Sequence, residues 1–203
     1  MVSGIDAAEG MVAVARRLVP DADLRVGAME RLPWGSGAFD VVTGFNAFQF
    51  AADMVTALAE ARRVARPGVQ VAICNSSRPR DSELYAVFDA LRALRPPPAP
   101  GPPPPDQPAT GEPGVLEELA RKAGLAPVSA AEVDLPFTAP DQATLVRGRI
   151  AAGVLPAIEH SGEAAVRKAI IQAAAPFRRP DGSYRFENRF RYLVAEAHAG
   201  RPY

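Results

Sequence analysis

The chain has 203 residues, which is enough for one domain with a substantial buried core. Its 23 basic and 23 acidic residues cancel, which excludes the strong single-sign charge typical of proteins that bind nucleic acid or anionic membranes. The one cysteine, Cys74, cannot form an intramolecular disulfide, and no apolar run approaches the ~20 residues of a membrane-spanning helix. We therefore expect a soluble cytoplasmic protein without a nucleic-acid or membrane partner.

Strands and helices alternate in the first half of the chain. A stripe that includes Met11, Val12 and Leu18 predicts a helix over 7–19, and a second helix is expected between Asp53, a suitable N-cap, and the stop at Arg66-Pro67-Gly68. Apolar runs predict strands over 2–6, 23–27, 39–45 and 69–75. Such alternation is typical of parallel β-α-β units with right-handed crossovers.

The second half is less regular. Ser161 is expected to cap the last of its helices, and a strand is expected within 126–137. Apolar residues alternate through 184–197, which predicts a partly solvated antiparallel strand joined to a mostly parallel sheet. The predicted helices cover 82–94, 115–123, 140–152 and 163–175.

Prolines concentrate in residues 95–108. This segment cannot continue a helix or join a central strand, so we expect extended polyproline II structure. The composition favours a stiff surface loop over the other interpretation, a docking site for an aromatic-lined groove.

An acid stands at the end of the first predicted strand. In a doubly wound α/β domain, a carboxylate in the position of Asp6 can accept hydrogen bonds from the two hydroxyls of a nucleotide ribose. An aspartate is equally suitable as the N-cap of the helix that follows. Taken alone, Asp6 leaves both interpretations open.

Several motifs in order resemble one family. Val26 to Trp34 (V-G-A-M-E-R-L-P-W) and then Gly37 to Val42 (G-A-F-D-V-V) resemble the G-D-A-E-x-L-P-F and F-D-x-V segments of class I S-adenosylmethionine-dependent methyltransferases, in their small-molecule, type 11-like branch. Arg66-Pro67-Gly68 is similar to the family's R-P-G-G stop, and residues 175–184 look like its C-terminal hairpin. The resemblance is in register through roughly the first third of the chain.

The resemblance implies a fold and a domain plan. The fold is a Rossmann-like, doubly wound α/β domain whose mostly parallel sheet ends in an antiparallel C-terminal strand. One domain would span 1–203, with a cofactor-binding core over 1–75, a lid and substrate region over 76–175, and the C-terminal hairpin strand over 176–203.

The resemblance also implies a cofactor, S-adenosylmethionine, and roles for particular residues. Asp6 would bind the ribose, with Ala7 and Met11 against the adenine. The adenine would also contact the backbone N–H of Ala28 and the side chain of Met29. The segment 45–48 would line the methionine end of the cofactor and the mouth of the substrate pocket, Asn46 and Ala47 on the cofactor side and Phe45 and Phe48 on the substrate side.

Two departures from the family pattern stand out. Ala28 occupies a position where the family usually has Asp, so an acceptor for the adenine amino group is missing, at a cost of about 1 kcal/mol. The family's first strand and its G-x-G-x-G turn have no counterpart, so we expect an N-terminally truncated domain that lacks the first β-α unit. The missing strand would lie between the strands at Val2 and Phe39, and its loss would leave two unpaired edges inside the sheet.

We therefore expect methyl transfer from S-adenosylmethionine to a small-molecule acceptor. Two alternatives stay open: a non-catalytic, methyltransferase-like subunit that binds a partner, and an NAD-dependent oxidoreductase, since a strand-end acid also holds the ribose of that cofactor. No catalytic residue can be named from the sequence. His160 and His198 lack metal-ligand spacing, so no metal site is expected.

Overall fold

The computed structural model describes residues 1–97, 108–152 and 154–198. Most of the predicted Pro-rich segment 95–108 therefore lies outside the described residues. In chain order the elements are β1 (Ser3–Asp6), α1 (Glu9–Leu18), β2 (Asp23–Val26), β3 (Phe39–Phe45), α2 (Met54–Val64), β4 (Ala65–Ser76), α3 (Tyr85–Arg92), α4 (Val115–Lys122), β5 (Leu125–Asp134), β6 (Phe137–Ala139), α5 (Gln142–Ala151), α6 (Leu155–Ser161), α7 (Glu163–Ala174), β7 (Tyr184–Phe186) and β8 (Arg189–Ala197).

Backbone contacts divide the chain into two compact units. The first contains the described residues of Met1–Ser76, Gln107–Glu132 and Arg191–Tyr203. The second contains those of Ser77–Asp106 and Val133–Phe190. The plan of a single domain with boundaries at 75 and 175 stays a prediction.

Parallel pairing dominates the strands of the first half. β1 pairs in parallel with β2, from Ser3↔Asp23 to Asp6↔Val26. β3 pairs in parallel with β4 and is the outermost strand of a four-stranded sheet in the order β3-β4-β8-β5. The predicted α/β fold, with a mostly parallel sheet and an antiparallel strand, is confirmed.

The core of the first unit lies between this sheet and helices α2 and α4. Asp53 caps α2 as predicted, because its Oδ1 accepts from the backbone N–H groups of Val55, at 3.0 Å, and Thr56, at 3.2 Å. The buried cluster contains Leu58 and Ala61 of α2, Leu116 and Leu119 of α4, Val71 and Ile73 of β4, and Leu193 and Ala195 of β8. Burial of these side chains is the main stabilising term of the unit.

The second unit has a separate core. Helices α3, α5, α6 and α7 surround the antiparallel pair of β6 and β7. Its largest fully buried side chains are Leu145, Ile170, Tyr184 and Phe186. In the described part of the chain, no helix is both long and apolar enough to cross a membrane.

Several local expectations were wrong. Ser161 does not cap α7, because it ends the unpredicted helix α6 and its hydroxyl donates to the carbonyl of Leu94 at 2.9 Å. Gly162 precedes α7 instead, at φ 84°, where glycine has no steric penalty. β4 begins directly after α2, at Ala65 and not at Val69, because Ala65 already pairs with Phe39.

Fewer side chains of helix α1 are buried than its apolar stripe predicts. Only Val12 is buried, whereas Met11 is 59% exposed and Leu18 is also exposed. The physical reason is that α1 packs on the two-stranded sheet of β1 and β2, which can cover only a narrow line of the helix.

Replacement of Gly44 tests the packing that ends β3. A Cβ at this position would lie 2.3 Å from Cε2 and 2.5 Å from Cδ2 of Phe48, whose ring is 5% exposed and cannot move freely. We expect Gly44→Ala to lower the free energy of unfolding in urea by about 1–3 kcal/mol. The control is Gly10→Ala, because nothing lies within 4 Å of its Cβ. An unchanged unfolding midpoint for Gly44→Ala would contradict this packing.

Candidate functional site

The loops that follow β1 and β2 meet at the ends of these strands. The backbone N–H of Gly27 donates to the carbonyl of Asp6 at 3.0 Å, which holds the residue before Ala28 against the end of β1. The exposed Asp6 carboxylate accepts from the backbone N–H of Ala8 through Oδ1, at 2.7 Å. Its second oxygen has no partner among the described residues and can accept a hydrogen bond from a ligand.

The loop after β2 is held by one ion pair of helix α2. Arg63 donates from Nη1 to the carbonyl of Trp34 at 2.8 Å and from Nη2 to that of Leu32 at 2.9 Å. Glu60 binds Arg63 and also accepts from the N–H of Leu32 at 2.8 Å. The hydrogen bond from Arg63, chiefly, holds the pKa of Glu60 below its ordinary value. The loop is thus fixed by side chains far from it in sequence.

Two further contacts fix the same loop. Asp23 accepts from Arg25 and from the indole N–H of Trp34, at 2.9 Å, and these bonds, with that from Arg25 the larger, lower the pKa of Asp23. Oε1 of Glu30 accepts a hydrogen bond from the backbone N–H of Ala52 at 2.7 Å, just before the start of α2. Sequence analysis missed the roles of Glu30, Glu60 and Arg63. Glu30 lies in the methyltransferase-like motif and Glu60 lies on α2, but the backbone N–H groups that they bind are distant in sequence.

The third loop follows β3. The backbone N–H of Asn46 donates to the carbonyl of Cys74 at 2.7 Å, and Asn46 has φ 50°, a conformation that asparagine tolerates better than most residues. Phe45 is 68% exposed, whereas Phe48 turns back into the core against Gly44. The two aromatic residues predicted for the substrate pocket therefore have opposite environments.

A cavity of about 930 Å³ lies within the first unit. It is lined by β1, by β3 and by three predicted site residues, namely Met29, Ala47 and Phe48. The loops after β2 and β3 thus reach one cavity. The other predicted residues lie outside its lining, on the exposed surface: Asp6, Ala7, Met11, Ala28, Phe45 and Asn46.

The groups at these strand ends are suited to binding a ligand. The loops offer one exposed carboxylate, backbone N–H groups, and apolar surface from Met29 and Ala47. Among residues 1–97, 108–152 and 154–198, no group of three or more His, Cys, Asp or Glu side chains could hold a metal ion. Burial raises the pKa of the Cys74 thiol, which makes it a poor nucleophile.

Comparison with known proteins finds similarity in the first part of the chain. Residues 1–73 match the family model described as a methyltransferase domain. Over 90 residues the chain is 36% identical to the demethylmenaquinone methyltransferase of Beutenbergia cavernae, an alignment that covers 44% of this chain and 36% of that protein. The aligned part therefore spans little more than a third of the length of this curated relative.

Solved structures share the fold over nearly the whole chain. The YcgJ protein of Bacillus subtilis superposes with a TM-score of 0.60 at 18% identity, covering 98% of this chain and 82% of that one. The phospholethanolamine N-methyltransferase 2 of Haemonchus contortus, solved with phosphomonomethylethanolamine and S-adenosylhomocysteine, gives 0.54 at 16% identity, covering 98% of this chain and 43% of that one. At these identities the likeness concerns the fold.

The strand pairing and the solved structures define a Rossmann-like, doubly wound α/β fold. The methyltransferase-domain match covers residues 1–73, which contain most of the motifs that resemble the class I S-adenosylmethionine-dependent methyltransferases. This match supports the resemblance that the sequence predicts.

Substitution of Arg63 tests how the loop after β2 is held. Lysine cannot reproduce the forked donors of Arg63, so Arg63→Lys should release the carbonyls of Leu32 and Trp34 and cost about 1–2 kcal/mol in urea unfolding. Trp34 is the only tryptophan of the chain, so its fluorescence reports directly on the loop. We expect a larger acrylamide quenching constant in Arg63→Lys.

The matched control is Arg17→Lys on the exposed face of α1, which should change neither quenching nor stability. Equal quenching in Arg63→Lys and the wild type would refute the anchoring role of Arg63.

Proposed function

We propose that this chain binds S-adenosylmethionine at the ends of β1, β2 and β3 and transfers its methyl group to a small molecule. The observation that carries the proposal is the convergence of the loops after β2 and β3, through Met29 and Ala47, on one cavity beside β1. All three strand ends fall within the part of the chain that matches the methyltransferase domain.

The residues present fit the adenosine half of the cofactor. The unpartnered oxygen of Asp6 is available to the ribose hydroxyls, and the charge of the carboxylate strengthens such bonds. Ala28, which is exposed beside Gly27, leaves its backbone N–H for the adenine, and the half-buried Met29 supplies apolar surface. Ala7 and Met11 are exposed close to Asp6 in sequence and would cover the other face of the ring.

The methionine half would lie at the end of β3. Asn46 and Ala47 would contact it, and Phe45 would stand at the substrate mouth, where an exposed aromatic ring can pack on an apolar acceptor. Phe48 would shape the floor of this region from the core.

The cofactor supplies an activated methyl group, because its sulfonium already carries the leaving group. The task of the protein is to align the acceptor atom, the methyl carbon and sulfur, and such alignment can contribute ~7–11 kcal/mol. The loop fixed by Glu60 and Arg63 would maintain that alignment on the adenosine side.

The class of acceptor is part of the proposal. A relative that methylates demethylmenaquinone and a structural neighbour that holds phosphomonomethylethanolamine both support a small molecule. The single cysteine supports a reducing compartment, the cytoplasm. The direct test is transfer of label from methyl-tritiated S-adenosylmethionine to a panel of quinols, phenols and amines. Absence of labelled product across the panel would count against the reaction.

Asparagine at position 6 tests the ribose contact. Asp6→Asn keeps an oxygen for the N–H of Ala8 but removes the charge that strengthens the bonds to ribose. We expect the affinity for S-adenosylhomocysteine, measured by isothermal titration calorimetry, to fall about 10- to 100-fold. Asp21→Asn, at an exposed turn, is the control and should bind like the wild type. Unaltered binding by Asp6→Asn would remove Asp6 from the site.

Aspartate at position 28 tests the adenine contact by gain of affinity. Ala28 is exposed, so a longer side chain has room, and Ala28→Asp adds an acceptor for the adenine amino group. We expect a gain of about 1 kcal/mol, or roughly fivefold, in S-adenosylhomocysteine binding by calorimetry. Inosine-containing analogues, which lack that amino group, should show no gain. An equal effect on both ligands would contradict the assigned contact.

A further inference from the structure

A half-buried guanidinium in the second unit contacts aromatic rings and no acid. Cζ of Arg149, near the end of α5, lies 4.8 Å from the ring centroid of Phe137 on β6 and 5.8 Å from that of Phe88 on α3. Two elements other than α5 thus each contribute one aromatic ring to the surroundings of this cation. Contacts of this kind attract a cation through the negative face of the ring.

The two rings do not replace hydrogen-bond acceptors. A guanidinium has five N–H donors in its plane, and each of them can bind an acceptor in addition to any ring contact. Nε of Arg149 is enclosed and has no acceptor among the described residues. Nη1 and Nη2 have none there either, and these two nitrogens are not enclosed. The terminal donors of Arg149 are therefore free to bind a ligand.

The charge of Arg149 has no counter-charge in the described part of the chain. Burial lowers the pKa of Arg149, and no acid opposes this effect. The acids nearest in sequence to the two rings have other partners, because Asp89 pairs with Arg92 at 3.2 Å and Asp134 with Arg189 at 2.7 Å. Removal of a cation from water is unfavourable unless an opposite charge offsets it. The site is therefore suited to an anion.

The aromatic surroundings determine which anion fits. Phe88 is 39% exposed, and its ring makes an edge contact with Tyr85, with centroids 5.5 Å apart. Phe137 is half-buried and packs on Phe186. A carboxylate matches the paired donors of a guanidinium, and a flat apolar ring attached to it can pack on the exposed ring of Phe88. An inorganic anion would use only the guanidinium.

We propose that Arg149, Phe88 and Phe137 form a binding site for an aryl carboxylate. The carboxylate accepts hydrogen bonds from Nη1 and Nη2 of Arg149, and the aryl ring packs on Phe88. All three residues belong to the second unit, whereas the residues proposed to hold the cofactor belong to the first. The inference therefore goes beyond the proposed methyl transfer and does not depend on it.

Binding of benzoate to the full chain without cofactor tests the site. We expect saturable binding in isothermal titration calorimetry, with a dissociation constant of about 1 mM or lower. Benzamide has the same ring without the charge and should bind at least about tenfold more weakly, because hydrogen bonds to a charged acceptor are stronger. Acetate has the charge without the ring and should also bind at least about tenfold more weakly.

Three variants assign the binding to these residues. Arg149→Met keeps an unbranched apolar stem but removes the charge, so we expect benzoate to bind at least about tenfold more weakly. Arg147→Gln, at an exposed position of the same helix, is the matched control and should bind benzoate like the wild type. Phe88→Leu should weaken benzoate binding about two- to tenfold, because the aromatic contact is lost.

A second measurement covers the case in which Arg149→Met does not fold. The enclosed Nε–H of Arg149 should give a resolved ¹⁵N–¹H signal in the wild type, and this signal should shift with benzoate but not with benzamide. Equal binding of benzoate and benzamide, no binding of benzoate, or unchanged affinity in Arg149→Met would each overturn the proposal.

The variant Asp6→Asn separates this site from the proposed cofactor site. It should bind benzoate like the wild type, whatever its affinity for S-adenosylhomocysteine. A parallel loss of both ligands in Asp6→Asn would place benzoate in the cofactor site and overturn the proposal. Failure of S-adenosylhomocysteine binding with benzoate binding retained would count against the cofactor assignment alone.

Discussion

Parallel pairing between β3 and β4 sets the geometry of the first unit. The ladder from Val41↔Gln70 to Phe45↔Cys74 satisfies backbone groups that α2 and the rest of the sheet shield from water. A slip by one residue would turn Val71 and Ile73 out of the core, so burial fixes the register. The register in turn fixes where β3 ends, since Asn46 is held by Cys74. The packing of the core therefore fixes the position of the loop after β3.

Helix α2 couples this core to the adenosine side of the proposed site. Its inner face buries Leu58 and Ala61, while Glu60 and Arg63, one turn apart on another face, hold the loop after β2. Each of these hydrogen bonds is worth only about 0.5–1.5 kcal/mol, but together they restrain a loop with little buried surface. A change that shifts α2 therefore moves Ala28 and Met29 as well, although neither lies on the helix.

The sequence predicted the elements that depend on local signals. Alternation of apolar runs located β1 to β4, and Asp53 could be assigned as a cap because capping uses backbone groups two and three residues away. The sequence-based predictions failed where contacts between residues distant in sequence decide the structure. Met11 and Leu18 match a buried stripe, yet the two-stranded sheet beneath α1 leaves them exposed. Glu30 and Arg63 act through contacts with residues distant in sequence, and the cavity also forms from distant segments. The spacing of residues along the chain does not predict such contacts.

The cavity and the cofactor loops share residues, which has an energetic consequence. Met29 and Ala47 line the cavity and also belong to the loops proposed to hold the cofactor. The cofactor would restrict both residues on binding, so a methyl acceptor that reaches the same cavity would lose less conformational freedom afterwards. Because linkage is reciprocal, the acceptor would raise the affinity for the cofactor by the same factor. Binding of the cofactor and of the acceptor would then be coupled through these two side chains.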